Sequence, residues 1–296
     1  MRVVEVQQYG GIDTLRVVER PEPGPELAQG RVRVRLAAAA VNPVDTATRA
    51  GYTAALVPDL TGPFVLGWDF AGITDDGQAV AGFVPWFEQG GRVGTYTSVL
   101  LADPAWFAPV PVPDDRPADL VAASTMPLNA VTAAQALRLA GLTAGQRLLV
   151  TGASGGVGGF AVQLAVAAGL DVTAVASTGD EAFVAGLGAK TVLSRTATPS
   201  PRSFDGVLNA ASAPEAIAAV RDGGVFVAVT DYSAPAAERG VRVDTVHVTP
   251  DREQLAEVLA AGLVTRVAGT LPLAEAAEAH RRLEAGGLRG KLVLTV

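Results

Sequence analysis

The segment LLVTGASGGVGGFAVQLA, residues 148–165, constrains the fold of this chain more than any other stretch. It has the pattern of an apolar strand, a glycine-rich turn and a helix of small residues. Gly155 and Gly158 allow a tight turn and a close approach of helix to strand, while the amides of residues 155–157 face an anion at the helix N-terminus. The segment therefore predicts a pyrophosphate-binding turn. A tight strand–helix corner that holds no ligand is the alternative.

Strands and helices alternate over residues 119–250, the region that contains the glycine turn. Strands are predicted over 147–151 and in the segments DVTAVAS, KTVLS, FDGVLNA, GGVFVAVT and RVDTVHV. Helices are predicted over 157–168, 180–187 and 214–221. This alternation implies right-handed crossovers and a parallel sheet. We predict an α/β fold in which residues 119–250 form a doubly wound, Rossmann dinucleotide-binding domain.

Residues 1–118 show a different pattern, in which β-branched and polar residues alternate and the runs break at Gly, Pro or Asp-Gly. Asp76-Gly77 is typical of a hairpin turn, so a β-barrel or sandwich is expected. After Pro250 come an amphipathic helix, a strand, a second amphipathic helix and the final strand KLVLTV. These last strands cannot easily extend a parallel sheet without further crossovers. We therefore expect residues 251–296 to return to the first domain.

Charge and residue usage exclude several partners and sites. The net charge is -7 and no basic run occurs, which argues against nucleic-acid and anionic-membrane partners. The chain has no cysteine, so disulfides, thiolate nucleophiles and Cys-ligated zinc are excluded. His247 and His280 stand far apart, and His280 is expected on a solvated helix face. With no cysteine and two separated histidines, we expect no metal site. No secretory leader opens the sequence, so we expect a cytoplasmic protein.

The letters TGASGGVG also fit the Thr-Gly-x-x-x-Gly-x-Gly pattern of short-chain dehydrogenases. That family needs a Tyr-x-x-x-Lys base. None of the four tyrosines is followed by lysine at that spacing, since the residues there are Asp13, Leu56, Leu100 and Ala236. The pattern also lies behind a long predicted β-domain, whereas short-chain enzymes open with it. This interpretation is rejected.

The end of the second Rossmann strand distinguishes the two nicotinamide cofactors. An acidic residue there binds the ribose 2′-hydroxyl of NAD. The strand in VTAVASTGD ends instead in Ala-Ser-Thr, residues 176–178, which leaves room for a 2′-phosphate. Arg195, at the end of the next strand, is placed to pair with that phosphate. We predict NADPH, with NADH as the alternative because an Asp-Glu pair follows closely.

Four stretches together resemble one family: VNPVDTATRAGY, VLGWDFAGI, MPLNAVTAAQALRLAGLTAGQRLLVTGASGGVGGFAVQLA and PLAEAAEAHRRLEAGGLRGKLVL. They look like the zinc-free quinone oxidoreductases, of zeta-crystallin type, in the medium-chain dehydrogenase/reductase superfamily. The likeness covers nearly the whole chain in the expected order. It implies a GroES-like β-rich domain formed by both chain ends, residues 1–118 and 251–296, with the Rossmann domain between them.

The resemblance also implies which residues serve the cofactor. Zinc-dependent relatives carry a cysteine where this chain has Asn42, and a His-Glu pair where it has Trp68-Asp69, so two zinc ligands are missing. Thr132 is implied at the cofactor, with helix packing as its alternative role. The other implied cofactor residues are Ser154, Gly155, Gly156, Val157 and Gly158 at the pyrophosphate, Ser177 and Arg195 on the adenosine side, and Thr230 and Asp231 at the nicotinamide half.

The activity implied by the resemblance is hydride transfer from NADPH to a quinone or an α,β-unsaturated carbonyl. The cofactor carries this chemistry, and the protein orients the reactants. Asn42 and Tyr52 are the candidates for positioning the acceptor. Two alternatives stay open: an enoyl-thioester reductase in a biosynthetic pathway, and a non-catalytic NADPH-binding sensor or structural protein.

Other conspicuous residues are interpreted as structural. Asp45 is expected to cap a helix that begins next to it, and Asp69 to be a hydrogen-bonded structural carboxylate, although such groups also serve in acid–base catalysis. Trp86 and Phe87 are expected to pack inside the β-domain rather than line a pocket. The alternating segment VRVDTVHV, at a predicted sheet edge, favours a homodimer formed edge to edge.

Overall fold

The computed structural model describes residues 1–24, 29–112 and 117–296. The chain divides into two compact units. Met1–Leu128 together with Thr249–Val296 form the first unit, and Asn129–Val248 form the second.

Strands and helices are numbered along the chain. The strands are β1 (Arg2–Val6), β2 (Leu15–Glu19), β3 (Val32–Ala40), β4 (Phe64–Val65), β5 (Asp69–Thr74), β6 (Ala79–Phe83), β7 (Val99–Ala102), β8 (Phe107–Pro109), β9 (Arg147–Thr151), β10 (Asp171–Ala176), β11 (Thr191–Ser194), β12 (Phe204–Asn209), β13 (Val220–Ala228), β14 (Arg242–Thr245), β15 (Val267–Pro272) and β16 (Lys291–Thr295). The α-helices are α1 (Pro43–Ala50), α2 (Leu120–Ala123), α3 (Pro127–Ala140), α4 (Gly156–Ala167), α5 (Glu181–Gly186), α6 (Arg252–Ala260) and α7 (Ala276–Ala285).

The first unit is built on two sheets. One has seven strands in the order β15-β16-β3-β5-β6-β8, with β7 also paired to β3, and the other has the order β2-β1-β4. β16 pairs antiparallel with β3, so the last strand returns to the N-terminal sheet as predicted. α2 belongs to this unit, past the expected boundary between 118 and 119, because Val121 packs against Ala38, Ala40 and Val293.

Aromatic side chains fill much of the core of the first unit. Trp86 is fully buried, and its indole nitrogen donates a hydrogen bond to the Val65 carbonyl at 2.7 Å. Its ring centroid lies 5.1 Å from that of Trp68 and 5.5 Å from that of Phe87. Tilted and edge-on ring pairs at such distances stabilise a core beyond simple burial. The packing role expected of Trp86 and Phe87 is confirmed.

The second unit contains a six-stranded parallel sheet in the order β11-β10-β9-β12-β13-β14. The direction in which strands are added reverses between β9 and β12. Leu148, Leu149 and Val150 of β9 are fully buried, as expected for the central strand of a parallel sheet. The predicted α/β class with a doubly wound parallel sheet is confirmed.

One predicted helix is shorter than expected. A helix was predicted over residues 214–221. The structure has a 3-10 helix at Pro214–Ala219, and β13 begins directly after it at Val220. Val220 pairs with Phe204 of β12, and a β-branched residue suits this strand position. No helix in the described ranges is both long enough and apolar enough to cross a membrane.

Candidate functional site

The glycine turn joins β9 to α4 at the point where the strand order reverses. Gly155 precedes α4 without a side-chain cap, so no side chain of this residue competes for the first amides of the helix. A Cβ on Gly158 would lie 2.3 Å from the Gly152 carbonyl oxygen, which is closer than any real Cβ contact. Only glycine fits at position 158, and the helix approaches the turn as closely as the sequence pattern predicts.

Two polar residues of α3 are buried in the second unit. A Cβ on Gly156 would lie 2.7 Å from Asn129 Oδ1, so this asparagine rests on the first residue of α4. Thr132 lies one turn further along α3 and is also buried. Asn129 was not predicted from the sequence. A glycine at position 156 indicates that some group packs closely there, but it does not show which residue supplies that group.

Residues predicted for the adenosine side lie together at the carboxyl-terminal edge of the parallel sheet, where its strands end. The Ser177 amide, just after β10, donates to Ser154 Oγ at 3.0 Å. The Arg195 amide, just after β11, donates to the Ala176 carbonyl at 3.0 Å. Dinucleotides bind outside the carboxyl ends of such strands, where the strand order reverses. The uncapped helix, the small side chains and the exposed arginine fit the phosphates of a dinucleotide.

Thr230 and Asp231 follow β13 at the same edge. Thr230 Oγ1 donates to Ser233 Oγ at 2.8 Å, and the exposed Asp231 carboxylate lies 3.5 Å from His247 Nε2. Asn209, at the end of β12, donates from Nδ2 to the Ser233 carbonyl at 3.1 Å. The sequence did not single out Asn209, since a polar residue ending a buried strand has no distinctive local pattern.

α1 separates the two residues predicted to position the acceptor. Asn42 precedes the helix and is 2% exposed, whereas Tyr52 follows its end and is 86% exposed. The helix has 8 residues, which places its ends about 12 Å apart at about 1.5 Å per residue. The structure does not bring Asn42 and Tyr52 together, and their roles stay predictions.

Asn42 lies in a buried polar group that we name the lysine cluster: Asn42, Asp45, Asp69 and Lys291. Its Nδ2 donates to Asp69 Oδ2 at 2.7 Å, and Lys291 Nζ donates to its Oδ1. Its backbone amide donates to Asp45 Oδ2 at 2.7 Å. Lys291 belongs to β16 and was not predicted as a site residue. The sequence feature that could have indicated it is the single lysine at the start of the apolar strand in the segment GKLVL.

Burial dominates the electrostatics of the lysine cluster. It raises the pKa of Asp69 to about 6, against the lowering effects of the Lys291 charge and of the Leu128 amide, which donates to Oδ1 at 2.7 Å. Burial likewise raises the pKa of Asp45 and lowers the pKa of Lys291. The hydrogen-bonded structural carboxylate expected at Asp69 is present. The ammonium is therefore the charge that compensates two buried carboxyl groups.

α1 begins earlier than predicted, before Asp45. Its first residue is Pro43, because proline presets the helical φ and lacks the N–H that a helix start leaves unpaired. Asp45 is the third helical residue, and it accepts from the Asn42 amide instead of standing at the cap position itself. Asp45 still stabilises the helix N-terminus, as predicted, but from inside the first turn.

His280 corrects another expectation, because it does not lie on a solvated helix face. Its side chain is fully buried, with the Tyr96 hydroxyl 3.1 Å from Nε2 and Arg49 Nε donating to Nδ1 at 3.2 Å. Burial and the Arg49 charge lower its pKa to about 3, so the ring is neutral at neutral pH. Ala276 and His280 stand four residues apart on α7 and share its buried face, a spacing that charged neighbours obscure in the sequence.

Two family descriptions match the chain. Residues 28–108 match the alcohol dehydrogenase GroES-like domain, and residues 174–294 match the zinc-binding dehydrogenase family. The donor set does not fit a zinc centre. The chain has no cysteine, and its described ranges contain no group of three or more His, Asp or Glu side chains that could hold a metal ion.

Curated relatives match over nearly the whole chain. The 2-methylene-furan-3-one reductase of Solanum lycopersicum is 30% identical over 99% of this chain and 79% of its own length. The NADPH-dependent alkenal/one oxidoreductase of Arabidopsis thaliana, a chloroplastic protein, is 30% identical with the same coverage. A spectinabilin polyketide synthase system protein of Streptomyces orinoci, NorB, is 34% identical over 97% of this chain, which spans 14% of that much longer protein.

Solved structures of quinone oxidoreductases share the fold over the full chain. The enzyme from Coxiella burnetii is 26% identical, with a TM-score of 0.85, over 100% of this chain and 99% of that one. The enzyme from Thermus thermophilus, solved also in complex with NADPH, is 27% identical, with a TM-score of 0.81, over 100% of both chains. With its GroES-like and Rossmann domains, the chain belongs to the quinone oxidoreductase branch of the nicotinamide-dependent medium-chain dehydrogenase/reductase superfamily.

Proposed function

We propose that this oxidoreductase transfers hydride from NADPH to a quinone or an α,β-unsaturated carbonyl without a metal ion. The observation that carries the proposal is the uncapped glycine turn at the reversal of strand order, with Ser177 and Arg195 at the same sheet edge. That arrangement suits a dinucleotide with a 2′-phosphate. The names of the relatives, which act on alkenals and quinones, support the acceptor class.

The residues of the chain bind and orient in this proposal. NADPH, when bound, supplies the hydride. Ser154 and the amides of residues 155–157 bind the pyrophosphate, Ser177 and Arg195 the adenosine side, and Thr230 with Asp231 the nicotinamide half. Asn42 and Tyr52 position the acceptor oxygen. The proton comes from solvent or from a nearby hydroxyl group.

Oxidation of NADPH by the purified protein tests the proposal. The absorbance of the reduced cofactor is followed with an aromatic ortho-quinone, a 2-alkenal and an enoyl thioester, each compared with NADH as donor. Turnover of the quinone or the alkenal alone supports the proposal. Tight NADPH binding without oxidation of any acceptor replaces it with a sensor or structural role.

A second candidate is an enoyl-thioester reductase. The similarity to a polyketide synthase system protein over 97% of this chain favours it, because such systems carry their intermediates as thioesters. The same hydride transfer reduces an enoyl thioester. Turnover of the thioester alone would assign the protein to this reaction.

Arg195→Ala is expected to raise the Kd of NADPH about fivefold, close to 1 kcal/mol for one solvent-exposed charge-assisted contact, and to leave the Kd of NADH unchanged. Fluorescence titration with both cofactors measures this difference. Arg202→Ala removes another exposed arginine of the second unit and is the control. Equal effects of Arg195→Ala on both cofactors would contradict a contact with the 2′-phosphate.

Tyr52→Phe is expected to lower kcat/KM for the acceptor by at least about threefold, or roughly 0.7 kcal/mol of transition-state stabilisation. The exposed hydroxyl is the only group that this change removes. Steady-state kinetics at saturating NADPH measure the effect. A smaller loss removes Tyr52 from the reaction.

The homodimer and the cytoplasmic location stay predictions. β14 forms the middle of the alternating segment, residues 242–245, and is an edge strand of the six-stranded sheet, the position from which pairing with a second copy is proposed. Light scattering is expected to give twice the mass of one chain. A monomeric mass would contradict edge-to-edge pairing.

A further inference from the structure

A buried hydrogen-bonded chain crosses the carboxyl ends of three neighbouring strands in the second unit. Thr151 ends β9 and Asn209 ends β12, and the two residues are paired in register. Thr151 Oγ1 donates to Asn209 Oδ1 at 2.6 Å. Asn209 Nδ2 donates in turn to the Ser233 carbonyl at 3.1 Å. The side chain of Asn209 therefore links the end of β9 to the segment that follows β13.

That segment is a compact turn, residues 230–233, held by its own hydrogen bonds. The Ser233 amide donates to the Thr230 carbonyl at 3.0 Å, and Ser233 Oγ donates to the same carbonyl at 2.8 Å. Thr230 Oγ1 donates back to Ser233 Oγ. Ser233 is buried while Asp231 is exposed, so the turn is anchored at Ser233 and presents Asp231 to solvent.

Asn209 itself cannot touch a ligand, because it is 0% exposed. Its amide suits the position because it accepts from Thr151 on one side and donates to Ser233 on the other. An aspartate keeps the acceptor but loses the donor, and it sets a carboxylate against the Ser233 carbonyl. A buried carbonyl left without its donor disturbs the turn that holds it.

We propose that Asn209 is a positioning residue for the nicotinamide half of the cofactor, acting through the turn at residues 230–233. The inference rests on the proposed function, in which Thr230 and Asp231 bind that half. The adenosine half is bound by residues around Ser154 and Ser177, whereas the side chain of Asn209 hydrogen-bonds to Thr151 and Ser233. Loss of the Nδ2 donor, with the acceptor for Thr151 kept, therefore perturbs the nicotinamide half and leaves the adenosine half unaffected.

The test compares two ligands, NADPH and 2′,5′-ADP, which has the adenosine half alone. Asn209→Asp is expected to raise the Kd of NADPH about tenfold, the cost of one unpaired buried group, and to change the Kd of 2′,5′-ADP by less than about twofold. Asn209→Ser removes the amide donor together with the acceptor for Thr151, and it is the variant to use if the aspartate does not fold.

Val207→Ala is the matched control, since it removes buried volume from the same strand without touching the turn. It is expected to lower the Tm and leave the ratio of the two Kd values unchanged. An unchanged ratio in the Asn209 variants, with normal binding by the wild type, overturns this inference alone. Failure of the wild-type protein to bind either ligand overturns the proposed function and this inference together.

Discussion

Lys291→Met is expected to destabilise the protein by about 3 kcal/mol at neutral pH, as is typical when one partner of a buried ion pair is removed. The ammonium of Lys291 donates to Asn42 Oδ1 and compensates the carboxyl groups of Asp45 and Asp69, both fully buried. Methionine fills similar volume but supplies no charge and no donor. The two acidic side chains then lose the compensating charge, and the Asn42 amide oxygen loses Lys291 as a donor. Urea denaturation measures the loss in free energy of unfolding.

The loss is expected to grow with pH. The Lys291 charge lowers the pKa values of Asp45 and Asp69, so its removal raises both further above their unfolded values. A carboxyl group with a raised folded-state pKa contributes stability at low pH and loses it as pH rises through that pKa. For Asp69 this loss already occurs near pH 6 with the lysine present. The variant is therefore expected to be closer to wild type at about pH 5 than at about pH 8.

The other lysine of the chain provides the control. Lys190 pairs with Asp171 at 2.6 Å on the surface, where its side chain is largely exposed. Lys190→Met is expected to change the free energy of unfolding by less than about 1 kcal/mol, at every pH tested. If the two variants prove equally stable, the lysine cluster is not the electrostatic centre that its geometry indicates.

Gly158→Ala is expected to raise the Kd of NADPH by about tenfold or more and to lower the Tm. The new methyl group would lie 2.3 Å from the Gly152 carbonyl oxygen and 3.0 Å from Ala153 Cα, and both of these are backbone atoms. The turn must move away from α4 to accept it. Because the amides at residues 155–157 lie in that turn, the phosphate contacts proposed for them are lost. Isothermal titration with NADPH measures the change.

Gly159→Ala is the matched control, one residue further along α4. Its Cβ would meet the Ala153 carbonyl oxygen at 3.4 Å and Leu187 Cδ1 at 3.6 Å, which are ordinary contacts. Alanine also favours a helix over glycine by about 1 kcal/mol. This variant is expected to bind NADPH normally and to be at least as stable as the wild type. Equal losses of affinity in both variants would contradict a specific requirement for glycine at position 158. They would show instead that the first turn of α4 tolerates a side chain at neither position.

Local patterns predicted much of the second unit. The β9 strand lies at 147–151 as expected, since its apolar residues suit the centre of a parallel sheet. The close approach at Gly158 follows from glycine spacing alone. The helix predicted at 214–221 is wrong at its end, because Val220 pairs with Phe204 in the parallel sheet. Local helix propensity does not include this contact between distant residues.

The sequence by itself determined the two-domain architecture, the glycine turn between β9 and α4, and the return of the last strand, because periodicity and glycine placement encode them locally. Only the tertiary structure decided which polar side chains meet. Lys291 bonds to Asn42 across 249 positions, His280 to Arg49 across 231, and Asn209 to Ser233 across 24. Such contacts depend on how whole strands and helices pack. The sequence around a single charged or amide residue does not specify which distant residue it will contact.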